Sequence, residues 1–170
     1  MKNNIILTGM MGAGKTITGK LLKESMPDFE LLDTDELIEK KSQMTIAEIF
    51  KQKGEKYFRQ LEQDVIADIC KKENQIITLG GGVFENENNR KILNENGITI
   101  YLKATPETIY ERIKDETHRP LLKDGFGKQR IEEILEKRDT NYSKALLIID
   151  TNGRTPYNIV KEILEKINYV

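Results

Sequence analysis

The sequence predicts an α/β fold in which helices cover both faces of a five-stranded parallel sheet, a three-layer α/β/α arrangement. Five short apolar runs, typical of strands buried on both faces, alternate along the chain with segments of helical period. In addition, residues 9–16, GMMGAGKT, directly follow the first apolar run and fit the pattern of a phosphate-binding loop between a strand and a helix. Both observations place parallel strands at the centre of the fold.

The first quarter of the chain contains two of the predicted strands. Residues 5–7 form a short apolar run, and Glu30-Leu31-Leu32 is predicted as the second short strand. A helix is expected over about residues 15–26, because Pro27 cannot continue it. A second helical stretch begins near Leu37, after the second strand.

The next segment is mainly helical and leads to a third strand. Thr45 and Glu48 have the spacing of a capping box, so a helix begins there and should end near Gly54. Apolar residues recur at helical spacing over residues 55–72, which predicts another helix. Residues 76–79 form the third apolar run, and three consecutive glycines end it.

The second half of the chain continues the alternation. A helix is expected around residues 87–94, and the fourth strand at residues 98–102. Thr105 followed by Pro106 is typical of a helix N-terminus, with a capping side chain and a proline at the first helical position. Residues 115–127 have no clear periodicity, and such segments are often functional lids.

Two more helices flank the last strand. The helix over about residues 128–139 carries an apolar stripe that reaches Arg138, where another apolar residue is expected. Residues 146–149 form the fifth apolar run. Thr155 with Pro156 then starts the final helix.

Composition limits the classes of function. The 170 residues are expected to form one domain, and 27 basic against 28 acidic residues argue against general nucleic-acid binding. The single Cys70 excludes an internal disulfide and a multi-cysteine metal site, and its apolar surroundings predict a buried thiol. No apolar run approaches the ~18 residues of a membrane span. Because the N-terminus leads directly into the phosphate loop, we expect a cytoplasmic protein rather than a cleaved signal peptide.

The phosphate loop is the strongest functional signal. Its glycines let backbone N–H groups close around an anion, and the helix that follows presents its positive end. Lys15 would reach the β- and γ-phosphates of a nucleoside triphosphate, and the hydroxyl of Thr16 would ligate Mg²⁺. The alternative is a tight turn without a ligand, but the surrounding strand–loop–helix pattern favours nucleotide binding.

Two further groups follow strands whose carboxyl ends should meet at the same edge of the sheet. Asp33 and Asp35 lie on one side if the chain is still extended there. One carboxylate could hold a metal-bound water near Thr16, while the other accepts a proton from a substrate hydroxyl. The alternative is that Asp33 or Thr34 only caps the next helix. The glycine triplet, residues 80–82, indicates close approach of the backbone to another group, with a plain loop hinge as the alternative.

Four arginines are candidates for anion binding. Arg59 and Glu62 are three apart on one helix; in a pocket Glu62 would hold Arg59 ready for a carboxylate, whereas the residues alone slightly favour a weak surface pair. Arg138 either faces inward to an anionic partner or only complements the helix C-terminus. Arg119 could close from the lid over the phosphates, and Arg112 could stack on the base. A solvated surface cation is the alternative for these last two.

The sequence resembles the shikimate kinase family over nearly its whole length. A phosphate loop alone would not distinguish kinase families, whereas the combination of motifs is specific. The resemblance implies a P-loop kinase fold with a lid at about 112–127 and a helical substrate-binding segment at about 33–61. In chain order, the motifs that carry it are residues 9–16, Asp33-Thr34-Asp35, Phe58-Arg59 with Glu62, Gly80-Gly81-Gly82, Arg119-Pro120-Leu121-Leu122, and Arg138 followed by Tyr142.

The resemblance also implies an activity and a set of site residues. The family transfers the γ-phosphate of ATP to the 3-hydroxyl of shikimate, with Mg²⁺, in aromatic amino-acid biosynthesis. The implied catalytic residues are Lys15, Asp35 and Arg119, and the implied metal-binding residues are Thr16 and Asp33. The implied nucleotide contacts are Gly12, Ala13, Gly14, Lys15, Thr16, Ile17, Arg112, Arg119 and Arg154. The implied substrate contacts are Asp35, Arg59, Gly80, Gly81, Gly82 and Arg138, with Glu62 orienting Arg59.

Departures from the family pattern are small, and other functions fit less well. Met10 stands where a bulkier aromatic residue is common, and Thr16 replaces Ser with another hydroxyl. The nearest alternatives are gluconate kinase and nucleoside monophosphate kinases, but two arginines with Asp35 suit a carboxylate-bearing polyol better. A GTP-driven switch would need an Asn-Lys-x-Asp sequence, which this sequence lacks. We expect a monomer that binds neither nucleic acid nor membranes.

Overall fold

The computed structural model of the chain describes residues 3–114 and 127–167. Within them, five parallel strands form one sheet in the order β2-β3-β1-β4-β5, which confirms the predicted α/β class. The strands are β1 (Asn4–Thr8), β2 (Glu30–Asp33), β3 (Gln75–Thr78), β4 (Ile98–Lys103) and β5 (Leu147–Asp150). The helices are α1 (Lys15–Ser25), α2 (Thr34–Ser42), α3 (Ile46–Gln52), α4 (Gly54–Ile69), α5 (Glu87–Asn96), α6 (Pro106–Ile113), α7 (Lys128–Tyr142) and α8 (Pro156–Ile167), with a short 3-10 helix at Val83–Glu85.

Helices cover both faces of the sheet and enclose two apolar layers. Successive residues of a strand point to opposite faces, so Ile6 packs into one layer while Ile5 and Leu7 pack into the other. Helices α2 to α7 contribute to the layer that contains Ile6, and α1 and α8 contribute to the other. This is the predicted three-layer arrangement. The inner strands β1, β3 and β4 are buried on both faces, so their central residues are mainly apolar without alternation, whereas the edge strands β2 and β5 are partly exposed.

Local sequence signals start the helices where they were expected. Thr45 and Glu48 form a complete capping box at α3. The Thr105 side chain caps α6, with Pro106 at the first helical position. The Thr155 hydroxyl likewise accepts a backbone hydrogen bond in the first turn of α8. These starts depend on neighbouring residues only, which is why the sequence predicts them.

Three helices differ from the prediction by about a turn. Helix α4 ends at Ile69 rather than near Lys72. Helix α2 begins at Thr34 rather than near Leu37, because the Asp33 side chain caps it and accepts a hydrogen bond from the backbone N–H of Asp35 at 2.9 Å. The chain is therefore not extended from Asp33 to Asp35, and that assumption was wrong. Helix α7 continues one turn further than expected, to Tyr142, because this side chain packs into the core and is completely buried.

Other expectations concern single segments. Cys70 is buried, as predicted. In the parts of the chain that the structure describes, every helix is too short or too polar to cross a bilayer. The expected lid at 112–127 falls mainly outside the described residues, and Arg119 lies outside them as well.

Candidate active site

The carboxyl ends of three adjacent strands meet at one edge of the sheet. Strand β1 leads into the phosphate loop, β3 leads into the glycine triplet, and β2 ends at Asp33, which lies opposite Thr78 in the ladder. A cavity of about 550 Å³ opens at this edge. The structure therefore brings the three predicted groups together. The predicted site residues in the cavity wall are Gly12, Gly14, Lys15, Thr16, Ile17, Asp33, Asp35, Gly80, Gly81, Arg112 and Arg138.

The phosphate loop has a backbone conformation that glycine adopts readily. Gly12 and Gly14 have φ values of 75° and 98°, and a side chain at Gly12 would also come within 2.7 Å of α6. Lys15 folds over the loop, where its ammonium group donates to the carbonyl oxygens of Gly9 and Met10 at 2.7 and 3.1 Å. The Lys15 charge and the N-terminus of α1 together make this wall of the cavity electropositive.

Asp33 holds the second strand and the second helix in place at the cavity wall. One carboxylate oxygen caps α2, and the other accepts a hydrogen bond from the Thr78 hydroxyl at 2.6 Å. The capping interpretation of Asp33 is therefore correct. It is compatible with a role toward a metal ion, because Asp33 and Thr16 line the same cavity.

Asp35, on the first turn of α2, has a perturbed proton affinity. Its pKa is raised from 3.8 to about 6, first by burial and then by the nearby Asp33, against the opposing charges of Lys15 and Arg59. Such a carboxylate is mainly ionised at neutral pH, yet it binds a proton more readily than an exposed one. Lys15 belongs to the phosphate loop and Arg59 to α4, so Asp35 is within electrostatic reach of both parts of the predicted site.

The glycine triplet leaves room for charged side chains. A Cβ atom at Gly80 would collide with the Asp35 carboxylate, and one at Gly82 would lie 2.7 Å from the Arg59 guanidinium. At the middle glycine, the nearest side-chain atom would be Nη1 of Arg138, at 3.4 Å. These glycines do not have positive φ angles, so space rather than backbone conformation requires them. The close-approach interpretation is confirmed, and the approaching groups are the protein's own.

Arg59 and Glu62 form an ion pair in which the carboxylate is buried and the arginine side chain is 35% exposed. The Glu62 side chain is 2% exposed, and both of its oxygens accept hydrogen bonds from Nη1 of Arg59, at 3.0 and 3.1 Å. The surface pair that the residues alone favoured is therefore wrong. The other edge of the guanidinium faces the exposed Glu55, with 3.3 Å between Nη2 and the carboxylate. Burial raises the pKa of Glu62, while Arg59 and Arg138 lower it and Asp35 raises it, so these charges share one region.

Arg138 faces inward from α7. Its Nη1 donates to the backbone oxygen of Gly81 at 3.0 Å, and its side chain lines the cavity. Tyr142, one helical turn later, donates its hydroxyl to the same oxygen at 2.6 Å. Of the two interpretations left open for Arg138, the inward one is correct.

The other described arginines have different environments. Arg112 is exposed at the cavity rim, but its guanidinium donates to the backbone oxygens of Ala13 and Thr151 at 3.3 and 2.7 Å. It therefore braces the phosphate loop and is not merely a solvated cation. Arg154 donates to the backbone oxygen of Asp150 at 3.0 Å, pairs with an acidic residue of α8, and is not one of the described residues that line the cavity.

Comparison with known proteins identifies the family. The family model described as shikimate kinase matches residues 11–168. The chain belongs to the shikimate kinase family. It is 42% identical over 163 residues to the shikimate kinase of Thermodesulfovibrio yellowstonii, which covers 96% of this chain and 94% of that relative. It is 44% identical over 161 residues to the shikimate kinase of Caldicellulosiruptor bescii, with coverage of 95% and 93%.

Solved structures agree with this family assignment. The shikimate kinase from Acinetobacter baumannii in complex with shikimate superimposes with a TM-score of 0.90 at 34% identity, covering 99% of this chain and 94% of that one. A gluconokinase from Sinorhizobium meliloti superimposes with a TM-score of 0.63 at 15% identity, covering 99% of this chain and 93% of that one, which shows the fold alone. The resemblance indicated by the motifs is confirmed, and the gluconate kinase alternative is supported only at the level of the fold.

Sequence reasoning missed two contacts of this shikimate kinase site. The Thr78 hydroxyl that holds Asp33 carries no signal, because Thr is a common residue of strands. The burial of Glu62, in contrast, could have been predicted from its position in the sequence. Glu62 lies four residues after Phe58 and three before Val65, which places it on the apolar face of α4.

Proposed function

We propose that this chain transfers the γ-phosphate of ATP to the 3-hydroxyl of shikimate and releases shikimate 3-phosphate and ADP, in aromatic amino-acid biosynthesis. Membership of the family supports the reaction, and the relative solved with shikimate supports the acceptor. One observation carries the proposal: Asp35 interacts electrostatically with both Lys15 of the phosphate loop and Arg59 of α4. The phosphoryl donor and the acceptor hydroxyl would therefore meet at Asp35.

Arg59 and Arg138 would bind the substrate carboxylate. A planar guanidinium forms two parallel hydrogen bonds with a carboxylate, which makes arginine suitable for this task. Glu62 occupies Nη1 of Arg59 and Glu55 the opposite guanidinium edge, so a substrate carboxylate would bind at that edge by displacing the exposed Glu55. The glycine triplet, residues 80–82, would let the substrate hydroxyls approach the backbone.

The nucleotide phosphates would bind across the phosphate loop, with Lys15 at the β- and γ-phosphates. Thr16 and Asp33 would hold Mg²⁺, because they offer hard oxygen ligands in the same cavity. Within residues 3–114 and 127–167 there is no cluster of acidic, His or Cys residues that could hold a metal alone. This fits an ion that takes its other ligands from phosphates and water. When bound, it would neutralise charge that develops on the transferred phosphate.

The proton of the acceptor hydroxyl would move to Asp35. As the 3-oxygen forms its bond to the γ-phosphorus and the bond to ADP breaks, the Asp35 carboxylate accepts the hydroxyl proton. A pKa of about 6 keeps Asp35 mainly ionised at neutral pH, so it is ready to accept this proton. Lys15 would stabilise the negative charge on the phosphates during the transfer.

The remaining assignments concern the nucleotide base and the setting of the enzyme. Arg112 and Arg154 would border the adenine, and Arg119 would act from the lid at about 112–127 on the phosphates. The whole chain would form one kinase domain, with a substrate-binding segment at about 33–61. We assign it to the cytoplasm, because the reaction consumes ATP, and expect a monomer.

A coupled assay that measures ADP release tests this proposal. With ATP and Mg²⁺, we expect turnover with shikimate and not with gluconate or nucleoside monophosphates. Asp35→Asn keeps the size of the side chain but removes the proton acceptor, so turnover should nearly disappear while ATP binding persists. Faster turnover with gluconate would contradict the acceptor, and unchanged turnover in Asp35→Asn would remove Asp35 from the mechanism.

A further inference from the structure

Tyr142 and Arg138 share one hydrogen-bond acceptor beneath the proposed substrate site. Tyr142 is 0% exposed, and its hydroxyl donates to the backbone oxygen of Gly81 at 2.6 Å. Nη1 of Arg138 donates to the same oxygen at 3.0 Å. A carbonyl oxygen has two lone pairs and can satisfy both donors. The four-residue spacing brings both side chains to the same face of α7.

The Tyr142 hydroxyl is the fixed member of this group. Its ring packs against Tyr101 with 5.1 Å between ring centroids, and both rings are buried. Moving the hydroxyl away from Gly81 would leave a buried donor unpaired, which is costly. Gly81 belongs to the connection between β3 and the 3-10 helix and has no side chain that could anchor it. The N–H of neighbouring Gly80 donates to the Thr34 hydroxyl at 2.8 Å, and Tyr142 is the fixed side chain that holds the Gly81 carbonyl itself.

We propose that Tyr142 is a positioning residue for the acceptor substrate. Its hydroxyl fixes the Gly81 carbonyl, and this carbonyl holds the Arg138 guanidinium in the orientation that receives the substrate carboxylate. The inference rests on the proposed function, because Arg138 contacts the substrate there. A guanidinium carries five N–H groups, so the one that donates to Gly81 leaves enough donors for a carboxylate. Without the Tyr142 hydroxyl, Arg138 samples further orientations, and substrate binding has to select among them.

Tyr101 provides a matched control. It is 1% exposed and is the other ring of the same pair, but its hydroxyl donates to Asp139 at 2.8 Å rather than to Gly81. Tyr101→Phe and Tyr142→Phe each remove one buried hydroxyl and one hydrogen bond. Only Tyr142→Phe removes a hydrogen bond to the Gly81 carbonyl, the oxygen that Arg138 shares. A general weakening of the core would affect both variants alike.

The test compares kcat, both KM values and the thermal midpoint of the wild type and the two variants. Tyr142→Phe should raise the KM for shikimate about 5- to 10-fold, the effect of one hydrogen bond, and leave kcat and the KM for ATP within about twofold. Tyr101→Phe should leave kcat and both KM values within about twofold of the wild type. Its thermal midpoint should fall by about as much as that of Tyr142→Phe. In an Arg138→Ala background, adding Tyr142→Phe should change the KM for shikimate by less than about twofold, because the positioned group is gone.

Several outcomes would overturn the positioning role of Tyr142. They are equal shikimate KM values in the two Phe variants, a parallel rise of both KM values in Tyr142→Phe, and additive effects with Arg138→Ala. Failure of Tyr142→Phe to fold where Tyr101→Phe folds would also overturn it, because the hydroxyl would then serve the fold. A wild type without shikimate turnover would overturn the proposed function, and this inference with it. That result is seen before any variant is compared.

Discussion

Replacing Asp35 by Asn should stabilise the protein while it removes the activity. A carboxyl whose pKa rises from 3.8 to about 6 on folding is harder to ionise in the folded chain than in the unfolded chain. At about 1.4 kcal/mol for each pKa unit, this corresponds to a penalty of up to about 3 kcal/mol at neutral pH. Asn has the same shape without the charge. We therefore expect the free energy of unfolding of Asp35→Asn to exceed that of the wild type by about 1 to 3 kcal/mol.

The pH dependence of this difference identifies its cause. The folded pKa of Asp35 lies above the unfolded one, so its ionisation destabilises the folded state as pH rises through about 6. Well below pH 3.8 the group is protonated in both states and the penalty is absent. The stability difference between Asp35→Asn and the wild type should be largest above pH 6. It should fall to about a third of that value near pH 4.5.

Urea unfolding of both proteins at neutral pH and at about pH 4.5 measures the effect. Glu36→Gln is a matched control, because Glu36 is the exposed neighbour of Asp35 on the first turn of α2. It should change the free energy of unfolding by less than about 0.5 kcal/mol at either pH. A variant Asp35→Asn that is less stable than the wild type at neutral pH would contradict the burial penalty on Asp35. So would a stability gain of the same size at about pH 4.5 as at neutral pH.

Three further predictions concern the binding of the substrate carboxylate and are checked by steady-state kinetics. Arg138→Ala should raise the KM for shikimate at least about tenfold with little effect on the KM for ATP, and a defect confined to ATP would contradict it. Gly82→Ala places a Cβ atom 2.7 Å from Nη1 of Arg59, the nitrogen that pairs with the buried Glu62, so it should raise the KM for shikimate and also lower the thermal midpoint. Glu55→Gln removes a competitor for Arg59 and should lower the KM for shikimate about twofold; a higher KM would show that Glu55 assists binding instead.

Local patterns were sufficient to predict most of the fold. The strand centres are mainly apolar because both faces of the sheet are covered, and the capping residue Thr45 acts on N–H groups only a few residues away. The start of α2 was misplaced because Asp33 has two possible local roles, as the last residue of a strand and as a cap, and the structure uses both. Sequence spacing alone does not choose between them.

The site depended on contacts between segments that are distant in the chain. The sequence placed Arg138 on an apolar stripe and thereby raised the question of an inward partner, but the partner, the Gly81 carbonyl, lies 57 residues away. A search of α4 for a charged residue on its apolar stripe would likewise have identified Glu62 as buried. It could not have shown that the glycine triplet provides the space for Arg59, because that contact exists only once α4 packs against the end of β3.

The charges around Asp35 imply that substrate binding makes it a stronger base. In the free enzyme Arg59 lowers the pKa of Asp35. A substrate carboxylate bound to Arg59 and Arg138 offsets part of this effect, so the pKa of Asp35 should rise in the complex. The pH dependence of kcat/KM reports pKa values of the free enzyme, and the pH dependence of kcat reports those of the enzyme–substrate complex. The acid limb of kcat should therefore lie at higher pH than the acid limb of kcat/KM. Coincident limbs would mean that the carboxylate binds beyond the electrostatic reach of Asp35, and Arg59 would lose its assignment.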